Sequence, residues 1–159
     1  MTEMTILILS DSHRDLDNMR KAIDREMPRA IFHLGDHDGD AAQLQKEFPH
    51  IPMYCVCGNC DTPFPLAQET QLVELEGVRI FAAHGHKHNV KYGHMNFYMA
   101  TREQGAQLGL FGHSHRPLCE DFGGLWLLNP GSCKGYGGTY GVAYVHEGRV
   151  VRCEINRLL

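Results

Sequence analysis

The sequence predicts an α/β protein in which two β-sheets pack together with helices outside. Two patterns carry that expectation. Apolar runs alternate with amphipathic stretches in a β-α-β-α-β order over the N-terminal part, and strand-like runs joined by tight turns dominate the rest. The chain is also long enough, at 159 residues with 43% hydrophobic composition, to bury a core without staples.

The elements follow in order. Residues 5–9 are continuously apolar or β-branched, as a strand buried on both faces should be. Asp15 is placed to cap a helix in which Leu16, Met19, Ala22, Ile23 and Met27 recur at helical spacing, and Pro28 stops the pattern. Residues 30–34 form a second buried strand, cut by Gly35. A second helix is expected over 40–48, with Ala41, Leu44 and Phe48 inward, and a third strand over 53–57, cut by Gly58. Such alternation favours parallel strands joined by right-handed crossovers. After Thr62-Pro63-Phe64-Pro65 the character changes. Residues 71–75 alternate, Glu76-Gly77 turns, and 78–83 return, a hairpin signal. A helix over 95–104 leads to a strand over 107–111. Residues 117–121, 125–128, 139–145 and 149–155 are further strand candidates. No repeat, low-complexity tract or linker interrupts the chain, so residues 1–159 are expected to form a single domain.

Composition narrows the function classes. The net charge of -4 supplies no basic field to recruit nucleic acid by counterion release, and no aromatic-basic stripe offers a single-strand groove. No stretch approaches the roughly 20 apolar residues of a membrane helix. The N-terminus lacks the basic region of a secretory leader, and six cysteines suit a reduced compartment, so a cytoplasmic location is expected. Cys55, Cys57 and Cys60 superficially resemble a zinc or redox cluster, but the second C-x-x-C of a closed structural site is absent. The 11 histidines are the compositional outlier and need a local explanation.

That explanation lies in five motifs at the ends of strand-like runs: Asp11-Ser12-His13, Gly35-Asp36, Gly58-Asn59-Cys60-Asp61, His84-Gly85-His86 and Gly112-His113-Ser114-His115. In open α/β sheets, ligands bind beyond the carboxyl ends of strands. Taken singly, Asp-Ser-His is an ordinary cap or turn, Gly-Asp and Gly-Asn are turn pairs, and a lone histidine is commonly a surface residue. Together they offer carboxylate and amide oxygens and several imidazoles, enough to hold two divalent metals. Asp36 follows a glycine and could bridge two cations, since each carboxylate oxygen has lone pairs to spare.

This series resembles the calcineurin-like metallophosphoesterases. The chain length and Gly-Asn-Cys-Asp look most like the small YfcE-type phosphodiesterase branch, to which the retromer metallophosphoesterase-like subunit also belongs. Asn129-Pro130-Gly131-Ser132 is another tract typical of that branch. The resemblance implies a four-layer α/β/β/α sandwich of two mixed sheets, the metallo-dependent phosphatase type, with a dinuclear site on one edge. By motif match one metal would take Asp11, His13, Asp36 and His115. The other would take Asp36, Asn59, His84 and His113, with His86 as the alternative to His84. A hydroxide shared by the two ions would attack phosphorus, with Asp36, Asn59, His84 and Cys60 forming the catalytic set. Oxygen and nitrogen ligands without thiolate favour manganese, iron or zinc over copper(I) or a cluster, and manganese is the first expectation among the three.

The departure from the wider superfamily is Cys60, where many relatives carry a histidine thought to protonate the leaving group. A thiol with a reference pKa of about 8.5 is a weaker acid for that task, and Cys60 could equally pack beside the metals. Asp61 is expected to orient a histidine ligand. His37 and His88 could reach the pocket mouth, His33 fits a hydrogen-bonded core position, and His94 and His146 look like surface residues. The loop holding Lys134 and Tyr136 could touch phosphate or simply be surface. The expected function is hydrolysis of a small or nucleotide-like phosphodiester. The alternative is a protein-interaction scaffold resembling the retromer subunit, with vestigial metal binding. Tyr92, Phe97, Tyr98 and Met99 could form a contact between copies of the chain, although core packing explains them as well.

Overall fold

The structure, a computed structural model, describes residues 3–36, 38–58 and 68–158. The apolar runs become β1 (Met4–Leu9), β2 (Ala30–His33) and β3 (Met53–Cys55), separated by α1 (Leu16–Glu26) and α2 (Asp38–Glu47). The hairpin is β4 (Thr70–Leu75) and β5 (Val78–Ala83). After it come α3 (Met95–Glu103), β6 (Leu108–Leu110), β7 (Leu118–Asp121), β8 (Trp126–Asn129), β9 (Thr139–His146) and β10 (Arg149–Arg157). Two short 3₁₀ turns, His86–His88 and Val90–Tyr92, were not expected from the sequence pattern.

One sheet has the strand order β10-β9-β1-β2-β3 and the other β4-β5-β6-β8-β7. In the first, β1, β2 and β3 run parallel, β9 pairs antiparallel with β1, and β10 pairs antiparallel with β9. In the second, β5, β6 and β8 run parallel between antiparallel β4 and β7. Both sheets are therefore mixed. Alternation along the strands explains the layers, because successive side chains point to opposite faces. Ile6 and Ile8 enter the core between the sheets with Phe32, Ile80, Leu110 and Leu128. Leu7 and Leu9 face the other way, packing with Met19 and Ile23 of α1 and Leu44 of α2. On the far side, Phe81 and Leu127 pack with Phe97 of α3. The result is the expected four-layer α/β/β/α sandwich.

Two local expectations are corrected and one open alternative is decided. Met27 does not face inward: it ends α1 in the left-handed conformation, φ 47°, with its side chain 80% exposed. β3 stops at Cys55 because Val56 pairs instead with Gln68 in an isolated parallel bridge, and the Cys57 N–H donates to the Gln68 carbonyl at 2.8 Å. Phe97 is fully buried against Phe81 and Phe111, so it belongs to the core, whereas Tyr92 and Met99 are exposed and Tyr98 is half-buried.

Asp15 caps α1 by accepting from the Asn18 N–H at 3.2 Å. Arg20 of α1 grips both carboxylate oxygens of Glu47 of α2 at 2.7 Å, joining the two helices. No helix among the described residues is long and apolar enough to cross a membrane. A cleft of about 720 Å³, lined by Met4, Ile23, Met27, Phe48 and Ile51 among others, opens at the N-terminal ends of β1 to β3. The strand-end motifs lie at the opposite end.

Candidate metal centre

Because β1 and β2 are parallel, the segments following them leave the same edge of the first sheet, and β5 and β6 do the same in the second. Backbone bonds stitch these exits together. The Asp11 N–H donates to the Gly35 carbonyl at 3.0 Å, and the Gly112 N–H to the His84 carbonyl at 2.8 Å. His84 then crosses between the sheets, its Nδ1 lying 2.7 Å from the Leu34 carbonyl. A carbonyl only accepts, so Nδ1 carries the proton and Nε2 presents its lone pair inward.

Asp11 is the centre of this arrangement. It is fully buried, and its two oxygens are used differently. Oδ2 accepts from the Ser10 hydroxyl at 2.6 Å and from the His113 N–H at 3.2 Å. Oδ1 is buried with no hydrogen-bond partner. It lies 3.2 Å from His115 Nε2 and 3.8 Å from His84 Nε2. His84 Nε2 is in turn 3.5 Å from Asp36 Oδ2 and 3.2 Å from His113 Nδ1.

Two groups of potential ligand atoms result, each with all atoms within 4.8 Å of one another: Asp11, His13 and His115, and Asp11, Asp36 and His84. Asp11 is common to both. His113 stands at the edge of the second, its ring centroid 5.0 Å from that of His84 and 6.0 Å from that of His86. An orphaned carboxylate oxygen among imidazole nitrogens costs free energy unless a cation joins it. The donor set therefore fits a divalent metal.

The electrostatics agree. Burial raises the Asp11 carboxyl above its ordinary value, against the lowering pull of His84 and the Ser10 hydroxyl. Burial pushes His113 down to about 4, and His84 adds to the depression. His86 is lowered as well, by burial first and His84 second. Neutral imidazoles beside a desolvated carboxylate are the state a metal requires.

The backbone here is strained. Of the ten described non-glycine residues with positive φ, five lie in these motifs, namely Asp11, His13, Asp36, His113 and His115, and Arg14 directly follows one, with φ between 43° and 70°. Such conformations cost about 1–3 kcal/mol each and persist where the surroundings enforce them. The backbone also comes very close to these side chains at two glycines. A Cβ on Gly112 would collide with Ser10 Oγ and come within 2.9 Å of Asp11 Oδ2, and one on Gly58 would collide with Asp36 Oδ1 and N.

A second ring of polar residues, drawn partly from the same motifs and partly from Asp40, holds the turns in place. The Ser12 hydroxyl donates to Asp40 Oδ2 at 2.7 Å and lies 3.0 Å from His33 Nε2. Asp40 Oδ2 also accepts from the Arg14 N–H at 2.7 Å, and His33 Nδ1 accepts from the Gly35 N–H at 3.3 Å. His33 is thus the hydrogen-bonded core residue expected. Asn129 reaches the Gly112 carbonyl at 3.2 Å and Ser114 Oγ at 3.0 Å, while the Ser132 hydroxyl donates to the Asp11 carbonyl at 2.8 Å. Four polar residues in a row, Ser10 to His13, directly after an apolar strand, and the Asn129-Pro130-Gly131-Ser132 tract are the sequence signals for parts of this ring.

The remaining expectations divide. Asn59, Cys60, Asp61 and His37 lie outside the described residues. His88 turns away from the cluster, edge-on to Phe81 and Phe97. His94 packs on Phe122. Lys134 and Tyr136 are exposed on a loop fastened to α1, where Gly135 N–H donates to Asp15 Oδ2 at 2.7 Å and Asn18 donates to the Cys133 and Gly135 carbonyls.

Comparison with known proteins bears on the chemistry. The family described as the calcineurin-like phosphoesterase superfamily domain matches residues 4–148. The chain is 34% identical over 135 residues to the probable metallophosphoesterase YsnB of Bacillus subtilis, covering 82% of this chain and 76% of that protein. It is 31% identical over 112 residues to the phosphodiesterase YfcE of Escherichia coli, covering 66% of this chain and 56% of YfcE. Vacuolar protein sorting 29 from Cryptosporidium parvum superimposes with a TM-score of 0.78, 15% identity and 98% coverage of both chains. At that identity the likeness shows the fold alone.

Proposed function

The chain belongs to the calcineurin-like phosphoesterase superfamily, and from that premise we propose that it is a metal-dependent phosphodiesterase acting on a small or nucleotide-like phosphodiester. The observation that carries this reading is the buried, unpartnered Asp11 Oδ1 facing His115 and His84. We assign one ion to Asp11, His13, Asp36 and His115, and a second to Asp36, Asn59, His84 and His113. The oxygen and nitrogen donor set suits manganese, zinc or iron, and manganese is our first proposal among them.

When bound, the metals supply positive charge for the developing phosphoryl oxyanions and make water a stronger acid. The residues do the positioning. Ser10 and the His113 N–H hold Asp11 Oδ2, which leaves Oδ1 for metal. The Leu34 carbonyl fixes the His84 ring so that Nε2 faces the site. Cys60 follows the motif asparagine and would stand near the leaving group, as packing or as a weak acid.

The scaffold reading comes second. It draws on the shared fold with vacuolar protein sorting 29, and every ligand position of the motif series is filled here, which favours the hydrolase. The test is hydrolysis of an activated aryl phosphodiester and monoester by manganese-loaded protein, by chelated protein and by Asp36→Asn. Diester turnover that disappears on chelation and in the variant is expected. No turnover by the loaded wild type would favour the scaffold, and turnover surviving full chelation would end the metal mechanism.

A further inference from the structure

Far from the strand-end motifs, the open side of the sandwich brings two thiols together. β7 is an edge strand of one sheet and β10 an edge strand of the other, and the two strands pack against each other. The seam is set by their neighbours. Leu128 of β8 is buried in the core between the sheets with Ala143 of β9, and it lies so near Gly141 that a Cβ there would sit 2.6 Å from Leu128 Cδ2. Cys119 is in register with Leu128, and Cys153 with Ala143. Each cysteine therefore stands one strand outward from the same inter-sheet contact. The register thus places Cys119 and Cys153 on packed edge strands at the same level of the seam. Both are half-buried free thiols, within reach of a small oxidant.

We propose that Cys119 and Cys153 form a reversible disulfide that closes this edge of the sandwich. Thiols placed at one level of two packed strands are positioned to be drawn into the narrow geometry of a disulfide. The strands they occupy are the two ends of a long chain segment, so a bond between them would restrict the unfolded chain strongly. The pair is also asymmetric. The Cys153 thiol holds Cys119 below its ordinary value, whereas the same contact, with burial, pushes Cys153 up. Cys119 is thus the first nucleophile.

With a small disulfide such as oxidised glutathione as oxidant, the reaction balances in two exchanges. The Cys119 thiolate attacks one sulfur, the glutathione S–S bond breaks, and one glutathione leaves as its thiolate. Cys153 loses its proton and attacks Cys119 Sγ, and the second glutathione leaves. The protein dithiol loses two electrons, the oxidant gains two, and the two thiol protons end on the two glutathiones.

The other described cysteines provide the contrast. Cys133 is fully buried, and burial holds its thiol well above the ordinary range. Cys55 and Cys57 are half-buried and two residues apart, which makes them the rival pair.

The experiment treats the full chain with oxidised glutathione and maps its peptides without reduction. A Cys119–Cys153 cross-linked peptide is expected, with a Tm rise on the order of 5–10 °C that dithiothreitol reverses. Cys119→Ser and Cys153→Ser should each lose the peptide and the rise while melting like the wild type when reduced. A Cys55–Cys57 peptide, stable glutathione adducts on Cys119, or no oxidation of Cys119 and Cys153 would each overturn the proposal. Because the readout is made on the wild type, it stands even if a serine variant folds poorly.

Discussion

The Ser10 hydroxyl donates to Asp11 Oδ2 at 2.6 Å, and this bond decides which oxygen of the buried carboxylate faces the imidazoles. Without it the carboxylate could rotate, and either oxygen could turn inward. The Ser10→Ala variant is therefore expected to bind metal about 10–100-fold more weakly, the usual effect of losing a group that orients a ligand. Calorimetric titration with Mn²⁺ measures it, and unchanged affinity would mean that the His113 N–H alone holds Asp11.

Ser12 joins Asp40 to His33 in a buried chain of hydrogen bonds. Ser12→Ala leaves both partners short of a bond, which costs about 1–3 kcal/mol. Thermal melting of chelated protein should show a Tm lower by about 3–10 °C. A Tm within 1 °C of wild type, on that same scale of roughly 2–4 °C per kcal/mol, would show that water replaces the hydroxyl.

Two glycines make a paired comparison. A methyl at Gly112 runs into Ser10 and Asp11, whereas one at Gly39, in α2, meets nothing within 4 Å. Gly112→Ala should lose about 1–3 kcal/mol by overpacking, and metal affinity with it. Gly39→Ala should be neutral or gain up to about 1 kcal/mol from helix propensity. Denaturant midpoints separate the two, and similar values would refute the close approach at Gly112.

Met27 holds the left-handed C-cap of α1 while 80% exposed, so its side chain contributes little packing there. Glycine adopts that conformation without a Cβ penalty. Met27→Gly is expected to stabilise the fold by about 0.5–1 kcal/mol, read as a small rise in urea midpoint.

His113 sets a pH dependence. Its folded value is about 4 against the ordinary 6.5, so between those values the unfolded chain binds more protons. Chelated protein should lose stability as pH falls from about 6.5 towards 4, with no further loss from this residue below that. His113→Asn should flatten the dependence across this window in urea midpoints taken at several pH values. An equally steep slope in the variant would clear His113 of the effect.

Local periodicity made most of the fold legible. Residues 6–9 alternate between two buried faces and declare a strand covered on both sides, and the spacing of Leu16, Met19, Ala22 and Ile23 declares α1. Met27 fits the same period, but the left-handed cap that turns it outward depends on how the chain leaves the helix. The strand-end motifs were legible because several ligand-type residues each follow an apolar run. The pairing of Ser12 with Asp40 is not legible, since their bond spans 28 positions and Asp40 carries no pattern of its own. The meeting of Cys119 and Cys153 was hidden for a similar reason: only the stacking of one sheet on the other brings them together.

The left-handed residues of the proposed metal centre set survival against work. At Asp11, His13, Asp36, His113 and His115 a glycine would relax the backbone, yet it would remove the side chain for which that backbone is bent. A library screened for heat resistance alone, without metal, should therefore drift towards glycine or asparagine at these positions and return sturdier proteins that no longer bind the ion. Screening with metal present reverses the pressure, because binding then adds to the stability of the folded state.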